Sequence, residues 1–245
     1  LIGGVLTNCT VRGHIASGKT AVYMGGLIGS LDGGVVQNCE NHAHIESLDN
    51  SHKIVGGLIG SVGDFIQDTY DIRSYVIGCG NYGRISMRGS GKFAGIVGEA
   101  SFNSEKKEVR STFVACCNVG SLEVASGSSF TGLSMGLLSV PAAYNTSVYG
   151  CFNYGHLPVG GFLGLCGEKP SGVGVFGLAE STDDNPESVG ISNIGTNCGK
   201  RTTTDLNSIT TINALNQAIE SFNSAYPQQA TTFRFKRGTL YPRKE

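Results

Sequence analysis

Over the first 195 residues the apolar positions fall in short runs rich in β-branched residues, fenced by glycine, serine and asparagine. A five-residue box built on Gly-Gly-Leu-Ile-Gly recurs with small changes at 25–29, 56–60, 94–98, 135–139, 160–164 and 173–177. A second box, Cys-x-Asn-x-Gly-x-Ile or Leu, follows most copies of the first, at 39–45, 79–85, 116–122 and 151–157, with Ala43 replacing Gly in one copy. Residues 9–15 are a looser copy with Val11 for Asn, and 191–195 a late copy that has lost its Cys. The opening Leu1-Ile2-Gly3 reads as a Gly box cut in half. From Cys to Cys the intervals are 30, 40, 37 and 35 residues, which predicts fixed strands joined by loops of changing length.

Each unit offers two short strands with turn-forming residues between them. Neither strand can bury its apolar face alone, so the units are expected to stack on a shared core. The fold class this predicts is all-β, a β-helix-like solenoid of about six repeats across residues 1–200. The period by itself also permits a propeller with one unit per blade. After Cys198 the pattern changes: Ile209, Ile212, Leu215, Ile219 and Phe222 stand three or four apart. That spacing predicts an amphipathic helix over about 206–225, with Asp205 or Thr204 as N-cap and Pro227 as its stop. Residues 231–237 then alternate like an exposed strand. Residues 201–245 are therefore expected to form a small α+β cap over the unpaired edges of the last repeat.

The two boxes in alternation resemble the GLUG-motif repeats of large bacterial and protist surface proteins, among them adhesins and the non-catalytic parts of immunoglobulin-A peptidases. The resemblance spans residues 1–195 and rests on the repetition, not on any single Gly-rich box. It implies a β-helix-like solenoid in a surface protein, and the C-terminal stretch is similar too, with an Asn-containing helix, a Phe-rich strand and a late Pro. The long insert between Gly60 and Cys79 and the crowded boxes at 160–164 and 173–177 depart from a regular repeat.

Composition acts here by exclusion. The chain has 245 residues, 40% of them hydrophobic, too many for a disordered chain and enough for one large core. With 18 basic and 19 acidic residues it has no net field to draw nucleic acid or an acidic membrane surface. No apolar run reaches the length of a membrane span, and the first residues lack a charged signal-peptide start, so an export signal is expected upstream.

Several motifs invite chemistry. Residues 13–20 fit the G-x-x-x-x-G-K-[ST] phosphate loop, but a strand-like run follows where that loop must open a helix, so a repeat turn is the better reading. Residues 172–177 fit G-x-G-x-x-G, yet they coincide with a Gly box. Lys19, Lys53 and Lys92 precede successive Gly boxes; stacked in register they would form a row able to hold anionic glycans, or simply solvated turn lysines. His14, His44 and His156 share one position, on the strand face opposite the Cys, Asn, Gly and Ile. With His42 they suggest a metal cluster, but Arg84 takes the equivalent place and no carboxylate recurs beside them, so no metal site and no cofactor are assigned.

Cys9, Cys39, Cys79, Cys116 and Cys151 share one repeat position and are expected to stack in a column. Neighbours are close enough for disulfides if each unit is one turn of the stack and too far apart if each makes two; a column of buried thiols is the preferred reading. Cys117, Cys166 and Cys198 stand outside it. Asn41, Asn81, Asn118, Asn153 and Asn193 form either an amide ladder or turns in which the following Gly takes a positive φ. The acceptor sequons are Asn8, within a packed strand, and Asn145, in a loop near Pro141, the better placed of the two.

No G-x-S-x-G elbow, H-E-x-x-H or recurring carboxylate pair is present; Asp64, Asp68 and Asp71 are the one acidic cluster of interest. The functional expectation is a non-enzymatic extracellular or cell-surface repeat module, acting as a stalk, adhesive segment or filament subunit. Loops such as 61–75 and 99–112 would meet a glycan or protein ligand, or neighbouring copies. The alternative is a carbohydrate-active enzyme, a polysaccharide lyase or hydrolase, on a β-helix.

Overall fold

The computed structural model describes residues 1–63, 73–100, 110–140, 145–158, 165–167, 171–178 and 195–245. It is mostly parallel β-sheet, and among the described residues the helices lie in the C-terminal stretch.

The first unit carries β1 (Ile2–Thr7), β2 (Thr10–Val11), β3 (His14–Ser17) and β4 (Tyr23–Gly25). The second repeats these as β5 (Ile28–Gln37), β6 (Glu40–Asn41), β7 (His44–Ser47) and β8 (His52–Gly56). The third holds β9 (Ile59–Val62), β10 (Arg73–Ile77), β11 (Gly80–Asn81), β12 (Ile85–Met87) and β13 (Gly89–Ala94). The fourth holds β14 (Val97–Ala100), β15 (Arg110–Val114), β16 (Cys117–Asn118), β17 (Leu122–Val124) and β18 (Phe130–Met135). Beyond these lie β19 (Leu138–Val140), β20 (Asn145–Asn153), β21 (Leu165–Gly167), β22 (Ser171–Leu178), β23 (Gly195–Thr196) and β24 (Gly199–Arg201).

Each strand pairs in parallel with its counterpart one unit away, as in β3–β7–β12–β17, β4–β8–β13–β18 and β2–β6–β11–β16. Register follows the boxes: Asn41, Asn81, Asn118 and Asn153 are level, and so are Ile45, Ile85 and Leu122. One repeat is therefore one level of the stack.

Two interior clusters run along the units. One contains Val36, Cys39, Ile59, Val76, Cys79, Phe113, Cys116, Val148 and Cys151, the other Met24, Ile45, Val55, Ile85, Phe93, Leu122 and Leu157. The chain crosses between them at the Gly box and again at the box asparagine, and there the two meet. A Cβ on Gly26, Gly57 or Gly95 would collide with the side chain of Asn41, Asn81 or Asn118 respectively. The two recurring boxes are thus the two sides of one constriction, which is why they travel together in the sequence.

The register corrects several expectations. Leu1-Ile2-Gly3 is not half of a Gly box, because Ile2 lies opposite Asp32 and not opposite Ile28. Residues 173–177 are not a Gly box either: Val175 is level with Cys151 and Gly177 with Asn153. The last copy of the Cys position is Cys198, since Phe176 pairs with Gly199 and the corner residue before it has the same backbone form. That corner is a left-handed residue at Asn8, Asn38, Gly78, Ala115, Gly150, Gly174 and Asn197, with φ between 52° and 61°. Asn193, the box at 160–164, and Asp64, Asp68 and Asp71 lie outside the described residues, as do most of 61–75 and 99–112.

The C-terminal stretch forms α1 (Thr203–Leu206) and α2 (Ile209–Ala225), then a short 3-10 turn at Pro227–Gln229. The N-caps are Thr202 and Ser208, not Asp205 or Thr204: Thr202 Oγ1 accepts from the Asp205 amide and Ser208 Oγ from the Thr211 amide. Of the expected strand only β25 (Phe235–Lys236) forms, antiparallel to β26 (Arg243–Lys244). Ile212, Leu215, Ile219 and Phe222 are buried, but against Tyr75, Ile77, Val114, Cys117, Phe152 and Phe176, residues of four successive units. Lys244 reaches further still, donating to the Gly78 carbonyl at 2.6 Å and lying 3.6 Å from Glu40. The stretch is thus a lateral buttress along the stack, not only a lid on its last level.

Candidate functional site

The recurring interior residues are engaged with one another. Asn41 donates to Asn81 Oδ1, Asn81 to Asn118 and Asn118 to Asn153, at 2.8, 2.8 and 2.7 Å. The other amide hydrogen goes to the carbonyl two residues on, for example Asn81 to Gly83 at 3.1 Å. The amide ladder is the arrangement found. Gly83, Gly120 and Gly155 do not take the positive φ that the turn reading requires; they are glycines because a Cβ would strike the backbone of the previous unit and its Asn side chain.

The described cysteines are free thiols. In the column the amides of Cys9, Cys39 and Cys116 each point to the Sγ of the next unit at 3.4 Å. Each thiol donates to the carbonyl two residues back, at 3.2 Å for Cys39 and 3.3 Å for Cys79 and Cys116. A disulfide would remove these donors from the corner carbonyls. Burial pushes the Cys79 and Cys116 thiols well above their ordinary range, and Cys117 up to about 12. Cys117 faces outward under α2, its sulfur 3.8 Å from the Tyr82 hydroxyl.

The lysine row does not form. Lys53 is fully buried and pairs with Gly91, not Lys92. Its Nζ donates to the Gly18 and Ala21 carbonyls and to Ser51 Oγ, at 3.2, 3.1 and 2.8 Å, with Asp49 3.4 Å away. Lys92 is ion-paired with Glu99, and Lys19 alone of the three is exposed. As anionic-glycan contacts these residues are thus dispersed, because the turn lengths before the Gly boxes differ. Of the phosphate-loop match, 14–17 is strand β3, a turn follows and β4 begins at Tyr23, so no helix receives it. Asn8 sits at an exposed corner, its Oδ1 accepting from Asn38 at 2.6 Å, and not inside a packed strand; Asn145 opens β20 and is not in a loop.

Outward from β3, β7, β12 and β17 stands a polar face. His14 is level with His44, their rings stacked 4.9 Å apart, and His14 Nε2 is 3.2 Å from Glu46 Oε2. The carboxylate thought missing beside the histidines is Glu46, two residues past His44 on the same strand face. His44 Nε2 bonds Ser86 Oγ at 2.7 Å, and its pKa is drawn down by burial and by Arg84 and His14. His42 stacks on Tyr82 and lies 3.0 Å from Glu40, outside that group. His156 is exposed.

Two hollows flank the buttress. One of about 520 Å³ is lined by Lys200, Arg201, Asp205 and Ser208, and one of about 390 Å³ by Arg73, Tyr75, Tyr226 and Gln228. No helix among the described residues is long and apolar enough to cross a membrane. No protein-family model, curated protein or solved structure matches the chain.

Proposed function

We propose that this chain is a non-enzymatic β-solenoid module of an extracellular or cell-surface protein of the GLUG-repeat kind, serving as a stiff scaffold that presents its outer faces to a glycan or protein ligand. The observation that carries the reading is the interior: each box asparagine from Asn41 to Asn153 is buried and bonded to its counterpart one unit away. The residues that recur are therefore engaged in stacking, and variation is left to the outward positions and the loops. Parallel pairing of every unit with the next supports a solenoid over a propeller, whose blades are antiparallel sheets.

Brief protease treatment of intact source cells, followed by mass spectrometry of the released peptides, tests the location; peptides of this chain recovered only after lysis would overturn it. Incubation with acidic polysaccharides tests the absence of catalysis. Turnover that disappears on Asp68→Asn would replace the scaffold reading with the enzyme.

A further inference from the structure

The outer face of β3 and β7 brings two imidazoles and one carboxylate together, with one ligand atom from each within 4.8 Å of the others. We propose that His14, His44 and Glu46 form a binding site for a divalent transition cation of the zinc class. The donor set is the kind such ions take: imidazole nitrogen at about 2.0–2.1 Å and carboxylate oxygen at about 2.0–2.2 Å, three protein ligands and one position for water. Two ligands on one tetrahedral ion stand roughly 3.3 Å apart at those bond lengths. His14 Nε2 and Glu46 Oε2 already do so, at 3.2 Å, and His44 offers a ring nitrogen within 4.8 Å of both.

The surroundings suit this use. Arg88 Nη2 lies 3.8 Å from Glu46 Oε1 and so addresses the other carboxylate oxygen, leaving Oε2 for the ion. Arg84, the cation next to His44, is itself paired with Glu123 at 3.6 Å. Ser86 holds His44 at Nε2, a partner of the kind that orients a metal-bound imidazole through the ring nitrogen the metal does not take. The register makes the site possible: His14 and His44 are level only because β3 and β7 pair in parallel, and Glu46 follows at the next outward position. An ion there ties the first unit to the second across the β3–β7 pairing.

The test is calorimetric titration of the reduced full chain with zinc chloride, beside titration with cobalt(II) followed by visible absorption. The expected result is one ion per chain, a tetrahedral cobalt spectrum without thiolate charge-transfer bands, and a thermal midpoint raised by excess zinc. His14→Ala and Glu46→Gln should each weaken binding about tenfold or more and abolish the rise, while circular dichroism shows the fold retained. Three results would overturn the proposal: no saturable uptake, uptake indifferent to both substitutions, or a thiolate–cobalt band placing the ion on the cysteines. The wild-type cobalt spectrum decides the ligand type even if a variant fails to fold.

Discussion

Two flanks of the stack share the same parallel pairing and differ sharply in what points outward. On the flank of β1, β5, β10, β15 and β20, one outward row reads Thr7, Gln37, Ile77, Val114, Tyr149. It is polar in the first two units and apolar from the third on, and α2 packs where it is apolar. On the flank of β3, β7, β12 and β17 the outward positions hold His14, His44, Glu46, Ser86 and Glu123, and no helix among the described residues packs there. Where the helix does not reach, Val5 of the first flank is 69% exposed. The information for docking the buttress thus runs along the stacking axis, one residue per unit, and is invisible to any period read along the chain.

The comparison breaks most readily at the buttress. Phe222→Ala should destabilise the chain by about 3–5 kcal/mol in urea unfolding, because the ring is fully buried against Tyr149 and its neighbours. Ile209→Ala, on the same helix but 67% exposed, should stay within about 0.5 kcal/mol. Equal effects from the two would mean that the helix does not dock on this flank.

Interior substitutions should be felt by both flanks alike. Asn118→Ala strands the Asn81 amide donor and the Asn153 Oδ1 acceptor and should cost about 2–4 kcal/mol. Gly95→Ala drives a methyl against Asn118 and the Gly136 carbonyl and should cost about 1–3 kcal/mol, whereas Gly18→Ala, with open space around it, should be near neutral in the same unfolding assay. A neutral Gly95→Ala would remove the constriction as the reason for the Gly box.

The smallest expected contrast separates the lysines. Lys53→Met leaves the Gly18 and Ala21 carbonyls without their buried donor and should cost about 1–3 kcal/mol; Lys19→Met should leave the unfolding midpoint unchanged. A neutral Lys53→Met would return Lys53 to the solvent-facing role that turn spacing alone suggests.

Much of this was legible from residues. Strand content, the level alignment of Cys39, Cys79, Cys116 and Cys151, and the buried face of α2 from Ile212 to Phe222 follow from spacing, because spacing fixes which side chains share a face; Ile209, expected on that face, is exposed at the start of the helix. The seventh copy of the corner was missed: Asn197-Cys198 matches Asn8-Cys9 and Asn38-Cys39, a dipeptide signal that the longer box at 191–195 obscured. Glu46 was equally readable, two residues from His44. Lys53 was not, since a cation ahead of a Gly box reads as solvated until neighbouring carbonyls are seen to surround it.

By itself the sequence determined the unit, its strand content and the interior positions shared from Cys39 to Cys151, while the parallel pairing that excludes antiparallel blades came from the structure. The features read from sequence depend on short-range alternation repeated many times, and every copy reinforces the same register. Only the tertiary structure decided that the Gly box and the Asn box close on each other, that the C-terminal helix lies along a flank, and that His14, His44 and Glu46 share one surface. Those outcomes depend on contacts between residues 15 to over 160 positions apart in the chain, which loop lengths and the packing of whole units set together.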